Sequence, residues 1–401
     1  MPRRIVSIQH GDYRESSRIV KSGEVDPYFG MTYTHEVLET LFGDDAHLVI
    51  CLNAPAYRER HGSGEYVGVP TPRLPRRVPA RVAEYLLARR ITGLIREFRP
   101  THVLLRTGLP IVSLGVLKLC RRKRYDTLVV LANVVGNDNP KAVRHNRRLM
   151  GLMNQPFVSR VGNHKRPATQ SLVDAGLDPL KAVAWDWPGQ RQAEDYPSKQ
   201  LPPPPFELVF AGSISAAKGV GDLIDAASIL HRDGITFRLT IIGGGADLDA
   251  MRDRARALPE GVVRFEGRLG NDEVFHAMLG AALIFIPSRH EFPEGMPLTL
   301  TEALASRTPV VASDHPVIVR GFVDGEGLRF FEAANPASLA QVTQAILLDP
   351  AGYAKLSTTT LDAFNRVNCP TTFGDLIDRW VGPSVESSED RRGSRVVSEG
   401  P

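Results

Sequence analysis

Apolar residues in this chain come in short runs separated by longer stretches of helical spacing. The opening RIVSI reads as a buried strand, Gly11 stands in a polar loop, and YTHEVLETLF is spaced for a helix before HLVICL begins another strand. Residues 80 to 98 place Val82, Leu86, Ile91, Leu94, Ile95 and Phe98 on one predicted helical stripe. THVLL follows as a strand, then LGVLKLC with helical spacing and TLVVLANVV as a strand. Such alternation predicts a parallel sheet covered by helices.

The texture breaks at SKQLPPPPFE, where Pro202 to Pro205 force an extended segment that joins neither helix nor central strand. Beyond it a second series begins with ELVFAGSI as a strand, a helix from about Gly221 to Leu230, and FRLTIIGGG as a strand. A helix through Ala250 to Ala257, the strand VVRFEG, the helix NDEVFHAMLG and the strand ALIFIP continue it. A helix from Leu298 to Ala305, the strand PVVASD and a helix from Pro336 to Leu347 complete a second open α/β domain. The organisation predicted is an N-terminal Rossmann-like domain over 1–197, a proline-rich linker over 198–206 and a C-terminal domain over 207–370. A helix over 371–384 is expected to pack back towards the N-terminal domain, and 385–401, without apolar periodicity, to be a disordered tail.

Composition agrees with two folded domains: 401 residues exceed what one core usually serves, and 42% hydrophobic with 23% charged residues is ordinary for a globular chain. The first apolar run is too short for a secretory signal and no stretch approaches the length of a membrane span, so a cytoplasmic protein is expected. Cys51, Cys120 and Cys369 stand singly, which suggests buried thiols and neither a zinc site nor a disulfide framework. The net charge of +4 conceals a strong asymmetry: residues 71–166 hold 21 Lys and Arg against four acids, leaving 28 basic and 41 acidic residues elsewhere. One face should therefore seek anions.

Open α/β sheets bind ligands beyond the carboxyl ends of their strands, so the loops after strands carry the candidate chemistry. After VFAG comes Ser213-Ile-Ser-Ala-Ala-Lys218-Gly219, where backbone N–H groups and one lysine can meet a phosphate; a solvent-exposed lysine ahead of a helix is the plain alternative. Gly243-Gly244-Gly245 either lets the backbone approach a nucleotide or simply turns the chain. In PSRHEFPEGMPLTLTEALASRTPVVASD, Gly295 permits close approach, Pro297 suits a first helical turn, and the N–H groups around Met296 to Thr299 form an anion site. Glu294 lies just before this helix and Glu302 inside it, so two carboxylates can address different parts of one ligand.

Glu294 and Glu302 form E-x7-E, followed by Ala-Leu-Ala and TPVVASD, and the pattern also includes Gly212, Lys218-Gly219, IIGGG, FEG at 265–267 and Pro287-Ser288. In these features residues 207–350 resemble the retaining family 4 glycosyltransferases of the GT-B fold, two Rossmann-like open-sheet domains facing each other across a cleft. The resemblance implies a catalytic pair, Glu294 at the transferred sugar and Lys218 at the donor diphosphate, with Glu302 on the ribose hydroxyls. It further implies donor contacts from Gly212, Ser213, Gly243, Gly295, Met296, Pro297 and Leu298, and a nucleobase bordered by Arg268. The co-substrate it implies is a nucleotide-diphosphate sugar, with no metal and no other cofactor. The family usually has arginine where this chain has Ser213, which leaves Arg268 and Arg289 as candidate substitutes. Spacing from Pro287-Ser288 would select Glu291 instead of Glu294; the E-x7-E spacing selects Glu294.

On the acceptor side the family's glycine-rich loop and sugar-facing histidine map onto His10-Gly11 and Asn133, and an asparagine there does not titrate near neutral pH. His145 and His164 lie near in sequence, but neither is assigned a catalytic role. The resemblance implies a glycan or lipid-linked acceptor and a setting in cell-surface polysaccharide or glycolipid assembly. Arg121-Arg122-Lys123-Arg124 and Arg144 with Arg147-Arg148 can attach the acceptor domain peripherally to anionic lipid, at roughly 1 kcal/mol per basic residue. No RNA-binding aromatic motif or zinc-finger spacing accompanies this charge, so nucleic acid is not an expected partner. Two other classes stay open: a GT-B-shaped nucleotide-sugar epimerase and a non-catalytic nucleotide-sugar-binding module.

Overall fold

The computed structural model describes residues 3–22, 31–43, 45–75, 77–132, 134–135, 140–189, 191–292 and 296–382. They form two compact units. One comprises the chain to His164, Thr169–Pro188 and the chain from Pro370 on; the other comprises Lys165–Ala168 and Gly189–Cys369.

The N-terminal unit runs β1 (Arg4–His10), α1 (Tyr13–Ser22), α2 (Met31–Phe42), β2 (Ala46–Leu52), β3 (Tyr57–His61), β4 (Gly64–Val69), α3 (Ala80–Phe98) and β5 (His102–Leu105). It continues with α4 (Pro110–Lys123), β6 (Asp126–Leu131), α5 (Pro140–Met153), β7 (Val158–His164), α6 (Arg166–Asp174) and β8 (Ala182–Trp185). Its eight strands are ordered β3-β4-β2-β1-β5-β6-β7-β8, parallel except for the β3/β4 pair. Near-continuous apolar runs such as Val49–Leu52 and Val103–Leu105 are buried on both faces, as a helix-covered parallel sheet requires. On α3 the expected stripe holds over its C-terminal part, with Ile91 and Ile95 in the core and Leu94 and Phe98 packed against it, but towards the N-terminus Leu87 and Ala88 face inward while Val82 and Leu86 are 36% and 42% exposed. A small alanine at the interface lets the helix approach its neighbour closely and turns Leu86 outward.

The C-terminal unit runs β9 (Phe206–Ala211), α7 (Val220–Arg232), β10 (Phe237–Ile242), α8 (Leu248–Ala255), β11 (Val263–Gly267), α9 (Asn271–Gly280) and β12 (Leu283–Ile286). Then come α10 (Leu298–Ala305), β13 (Val310–Ser313), α11 (Pro316–Gly321), β14 (Leu328–Phe331), α12 (Pro336–Leu347) and α13 (Pro350–Val367). The six strands are all parallel in the order β11-β10-β9-β12-β13-β14, the doubly wound arrangement in which strand order reverses beside the first strand.

The division between units falls at Pro188/Gly189, upstream of the expected 198–206 linker, and the proline run leads into β9 inside the second unit. Side chains explain why this stretch stays with the C-terminal unit. Lys199 Nζ donates to the carbonyls of Met278, Leu279 and Ala281 at 3.0, 2.8 and 3.2 Å, closing the end of α9, and burial pushes its pKa down to about 8. Arg307 reaches the carbonyls of Ala193 and Tyr196 at 3.3 and 3.1 Å.

The last helix, α14 (Phe373–Val381), belongs to the N-terminal unit. Thr372 and Asp375 cap it reciprocally, Trp380 Nε1 donates to Asp126 Oδ1 at 2.8 Å, and Leu376 fills the space left by Gly162 on β7, where any Cβ would overlap it. The tail at 385–401 lies outside the described residues. All three cysteines are buried thiols.

Candidate functional site

In the C-terminal sheet the order reverses between β9 and β12, so the loops that follow these strands diverge and leave room for a ligand. Those loops include 212–219 and 287–292, and the chain ties them together. Arg289 N donates to Ala217 O at 2.9 Å, and Thr299 Oγ1, in the first turn of α10, donates to Ala211 O at 3.2 Å. Gly219 has φ 71°, and a Cβ there would overlap Pro287 O. Only glycine suits both the backbone angle and this approach.

Lys218 ends a 3-10 turn, Ala216–Lys218, capped by the Ser215 hydroxyl, which accepts from Lys218 N at 3.3 Å. Its ammonium lies 4.4 Å from the centre of the Phe292 ring, so a residue of the second loop holds the lysine of the first. Gly212 is half-buried and Ser213 exposed beside it. Of the two arginines considered as substitutes at this position, Arg289 is committed elsewhere. It forms a bidentate pair with buried Asp222, at 2.7 and 2.8 Å, in the first turn of α7. The pair raises the arginine's pKa further and pins the 287–292 loop to α7. Arg268 is exposed just after β11, with its side chain alongside Gly244.

Gly243-Gly244-Gly245 has a packing reason that neither sequence reading contained. Gly243 has φ 137° and a Cβ there would overlap Gly212 O; a Cβ on Gly245 would overlap Ile214 O. Ile214 N donates to Gly244 O at 3.0 Å, and Asp247 Oδ2 accepts from Ala216 N at 2.7 Å. The triplet therefore shapes the Lys218 loop from behind.

The third component is the start of α10. Pro297 occupies the position just before the first helical residue, one residue earlier than its expected place, where its missing N–H costs nothing. The first intrahelical donors are Leu300 N and Thr301 N, both to Pro297 O, so the N–H groups of Leu298 and Thr299 precede any intrahelical acceptor. Met296 is buried, with its Sδ-methyl against Gly321, and Leu298 is half-buried.

Glu302 lies one turn into α10, with Arg191 Nη1 at 3.5 Å from its Oε1. Desolvation in this recess raises the Glu302 pKa, while Arg191 and Lys165 act in the opposite sense. Arg191 also pairs with Asp272 and lies 4.3 Å over the Phe275 ring. Sequence reasoning missed this arginine. It sits alone in a stretch without motif, and only the fold brings it to Glu302.

Glu294 and Gly295, in the E-x7-E motif, lie outside the described residues, as does Asn133. Glu291 is exposed, with Arg289 Nη1 3.9 Å away. On the other side of the motif His315 caps α11, accepting from Val317 N at 3.3 Å through Nδ1 and donating to Phe292 O at 3.1 Å through Nε2. The loop is thus held at Phe292 as well as at Arg289.

In the N-terminal unit the order reverses between β1 and β5, and His10 and Gly11 follow β1 there. Asn53 Nδ2 donates to His10 Nδ1 at 3.4 Å, which leaves Nε2 to donate to Thr107 Oγ1 at 3.0 Å. Desolvation, then the nearby Arg106, lowers the His10 pKa, so the ring is neutral at neutral pH. Gly11 adopts φ 99° and donates its N–H to Leu52 O at 3.2 Å. His164 ends β7, buried, with Nε2 3.2 Å from Asp186 Oδ1 and its ring against Trp185, a packing role. Among the described residues no helix is long and apolar enough to cross a membrane, and no cluster of ligating side chains suits a metal.

A doubly wound unit with a lysine-bearing loop and a helix start at its switch point is the arrangement of nucleotide-binding α/β domains. Residues 192–360 match the family model of glycosyl transferases group 1. It is 32% identical over 148 residues to the glycogen synthase of Mycobacterium tuberculosis, covering 37% of this chain and 35% of that protein. It is 31% identical over 204 residues to the D-inositol 3-phosphate glycosyltransferase of Pseudarthrobacter chlorophenolicus, 46% of each chain. The amylovoran biosynthesis glycosyltransferase AmsK of Erwinia amylovora is 32% identical over 152 residues, 36% of this chain and 35% of that protein. The chain thus matches less than half the length of these curated relatives. The likeness in fold extends over nearly the whole chain. HepE of Anabaena, solved in complex with UDP, superposes with a TM-score of 0.59 at 14% identity, covering 97% of this chain and 100% of that one. The sucrose-phosphate synthase of Thermosynechococcus elongatus gives 0.60 at 12% identity over 98% and 99%. The chain has the GT-B fold.

Proposed function

We propose that this protein is a glycosyltransferase that moves a hexose-type sugar from a nucleotide-diphosphate sugar to a glycan or lipid-linked acceptor, with retention and without a metal. The observation that carries the reading is that the Lys218 loop and the start of α10, the helix that bears Glu302, are tied together at the β9/β12 switch point. In this reading Lys218 and the N–H groups of Leu298 and Thr299 stabilise the charge that grows on the departing diphosphate. Glu302 accepts from the ribose hydroxyls, Glu294 faces the sugar, the backbone from Gly295 to Leu298 spans sugar and diphosphate, and Gly212, Ser213 and Arg268 border the nucleotide. The acceptor hydroxyl attacks the anomeric carbon on the face the diphosphate leaves. The C–O bond to the diphosphate breaks, its electron pair stays with the phosphate oxygen, and that oxygen takes the acceptor's proton. The protein supplies position and electrostatics.

Relatives support the setting. HepE has been solved with UDP-glucose and AmsK serves amylovoran biosynthesis, consistent with cell-surface polysaccharide or glycolipid assembly at the cytoplasmic side of a membrane. A second reading, a nucleotide-sugar-binding module without turnover, draws on Ser213 and on the engagement of Arg289 by Asp222, which together leave Arg268 alone of the candidate arginines for that diphosphate position. Thermal unfolding across UDP-, GDP-, ADP- and TDP-sugars, with donor consumption followed in parallel, separates the two. Protection by one nucleotide class, about 2.7 kcal/mol at a hundredfold excess over Kd, together with consumption supports the transferase. Protection without consumption supports the module, and no protection sinks both.

A further inference from the structure

The N-terminal unit holds a recess of about 290 Å³ that the donor reading does not use. It lies between the start of α4, the end of β6 and one face of α5, with Leu131, Val135, Leu149 and Met153 among its apolar walls. Helix α5 presents Ala142, His145, Leu149 and Met153 to it at spacings of three and four residues, one continuous stripe. The volume of the recess approaches that of small-molecule sites.

Two polar features mark one end. His145 Nε2 is buried with no hydrogen-bond partner among the described residues, a costly arrangement unless a ligand meets it. Arg144 and Arg148, on the same helix, are exposed beside it, and Arg148 is near enough to act on the His145 ring. The nearby Glu84 opposes this charge but is engaged: its Oε1 accepts from Ile111 N and Val112 N at 2.5 and 3.4 Å, at the start of α4.

We propose that this recess binds the hydrocarbon chain of an aliphatic phosphate ester, with His145 and the Arg144/Arg148 pair at its phosphate end. An apolar sleeve beside a cationic rim selects an anionic amphiphile over a free sugar, a neutral alcohol or a free anion. As an identification of the acceptor class this rests on the glycosyltransferase reading; as a binding site it stands by itself.

The test is calorimetric titration of the full chain with decyl phosphate below its micelle concentration, with decanol and inorganic phosphate as separate arms. Decyl phosphate is expected to bind saturably at one site, decanol at least tenfold more weakly, and inorganic phosphate not measurably. Ala142→Trp, which fills the recess, should abolish binding. Arg144→Glu with Arg148→Glu, on the surface and safe for folding, should weaken it at least tenfold. Nucleotide-sugar protection should be unchanged in both variants, which also certifies that they fold. The proposal is overturned if the wild type ignores decyl phosphate, if decanol binds equally well, or if the double arginine variant binds as the wild type does. Binding of decyl phosphate by a wild type that no nucleotide sugar protects would keep the recess and defeat the donor reading alone.

Discussion

The two sheets reverse strand order at equivalent places, yet their switch points are built differently. In the C-terminal unit the loops after β9 and β12 interlock through backbone: Arg289 N on Ala217 O, Gly219 under Pro287, and Gly243 against Gly212. In the N-terminal unit side chains bridge the loops after β1 and β5, with His10 between Asn53 and Thr107. A backbone-built site needs glycines and a lysine at fixed offsets and leaves a readable motif. A side-chain-built site can be assembled from many residue types, which suits a surface that meets variable acceptors.

That contrast can be broken by substitution. The largest effect is expected from Lys218→Ala, which should lower donor turnover by about 10²–10³-fold, the usual cost of one preorganised charge-stabilising group, as read in initial-rate assays. Glu302→Gln should weaken nucleotide binding by roughly 1.5–3 kcal/mol, the range for hydrogen bonds to a charged group, measurable by titration. Because burial raises the Glu302 pKa, wild-type nucleotide affinity should fall on acidification above the ordinary carboxylate range, and the glutamine variant should lose that dependence. Between the ordinary glutamate value and the raised one the folded state holds the extra proton. Apoprotein stability should therefore decline as pH rises through that window, and Glu302→Gln should flatten the decline.

Arg289→Ala leaves Asp222 buried without its bidentate partner. A stability loss of about 2 kcal/mol is expected in denaturant unfolding, below that of a fully buried pair because the arginine is one-third exposed. Asp222→Asn in the same chain should recover part of it. The smallest effect should come from Gly11→Ala in the N-terminal unit, where φ 99° costs about 1–2 kcal/mol of stability while nucleotide affinity stays unchanged. If Gly11→Ala altered donor binding as much as Glu302→Gln, the assignment of the donor to the C-terminal unit would be wrong.

Legibility followed the same divide. Strands β9, β12 and β13 were readable as unbroken apolar runs, which was enough to place Lys218 in the loop after β9 and Glu302 in the helix before β13. Arg191 was invisible, since its approach to Glu302 spans 111 residues of sequence and follows only from the way the chain enters this unit. The Asp222–Arg289 pair, 67 residues apart, was hidden for the same reason. The β3 strand, YRERH, was missed because it is a charged edge strand, protected from further pairing by the residues that disguise it. Towards the N-terminus of α3 the error was one of phase: Ala88 contributes little to an apolar pattern and much to a close helix contact.

Hydrogen–deuterium exchange of the full chain with and without the protecting nucleotide sugar tests the central claim most directly. The account expects slowed exchange in residues 212–219 and at the start of α10, with the loops after β1 and β5 unaffected by nucleotide alone. Protection confined to the N-terminal loops, or none at 212–219 under saturating nucleotide, would contradict it.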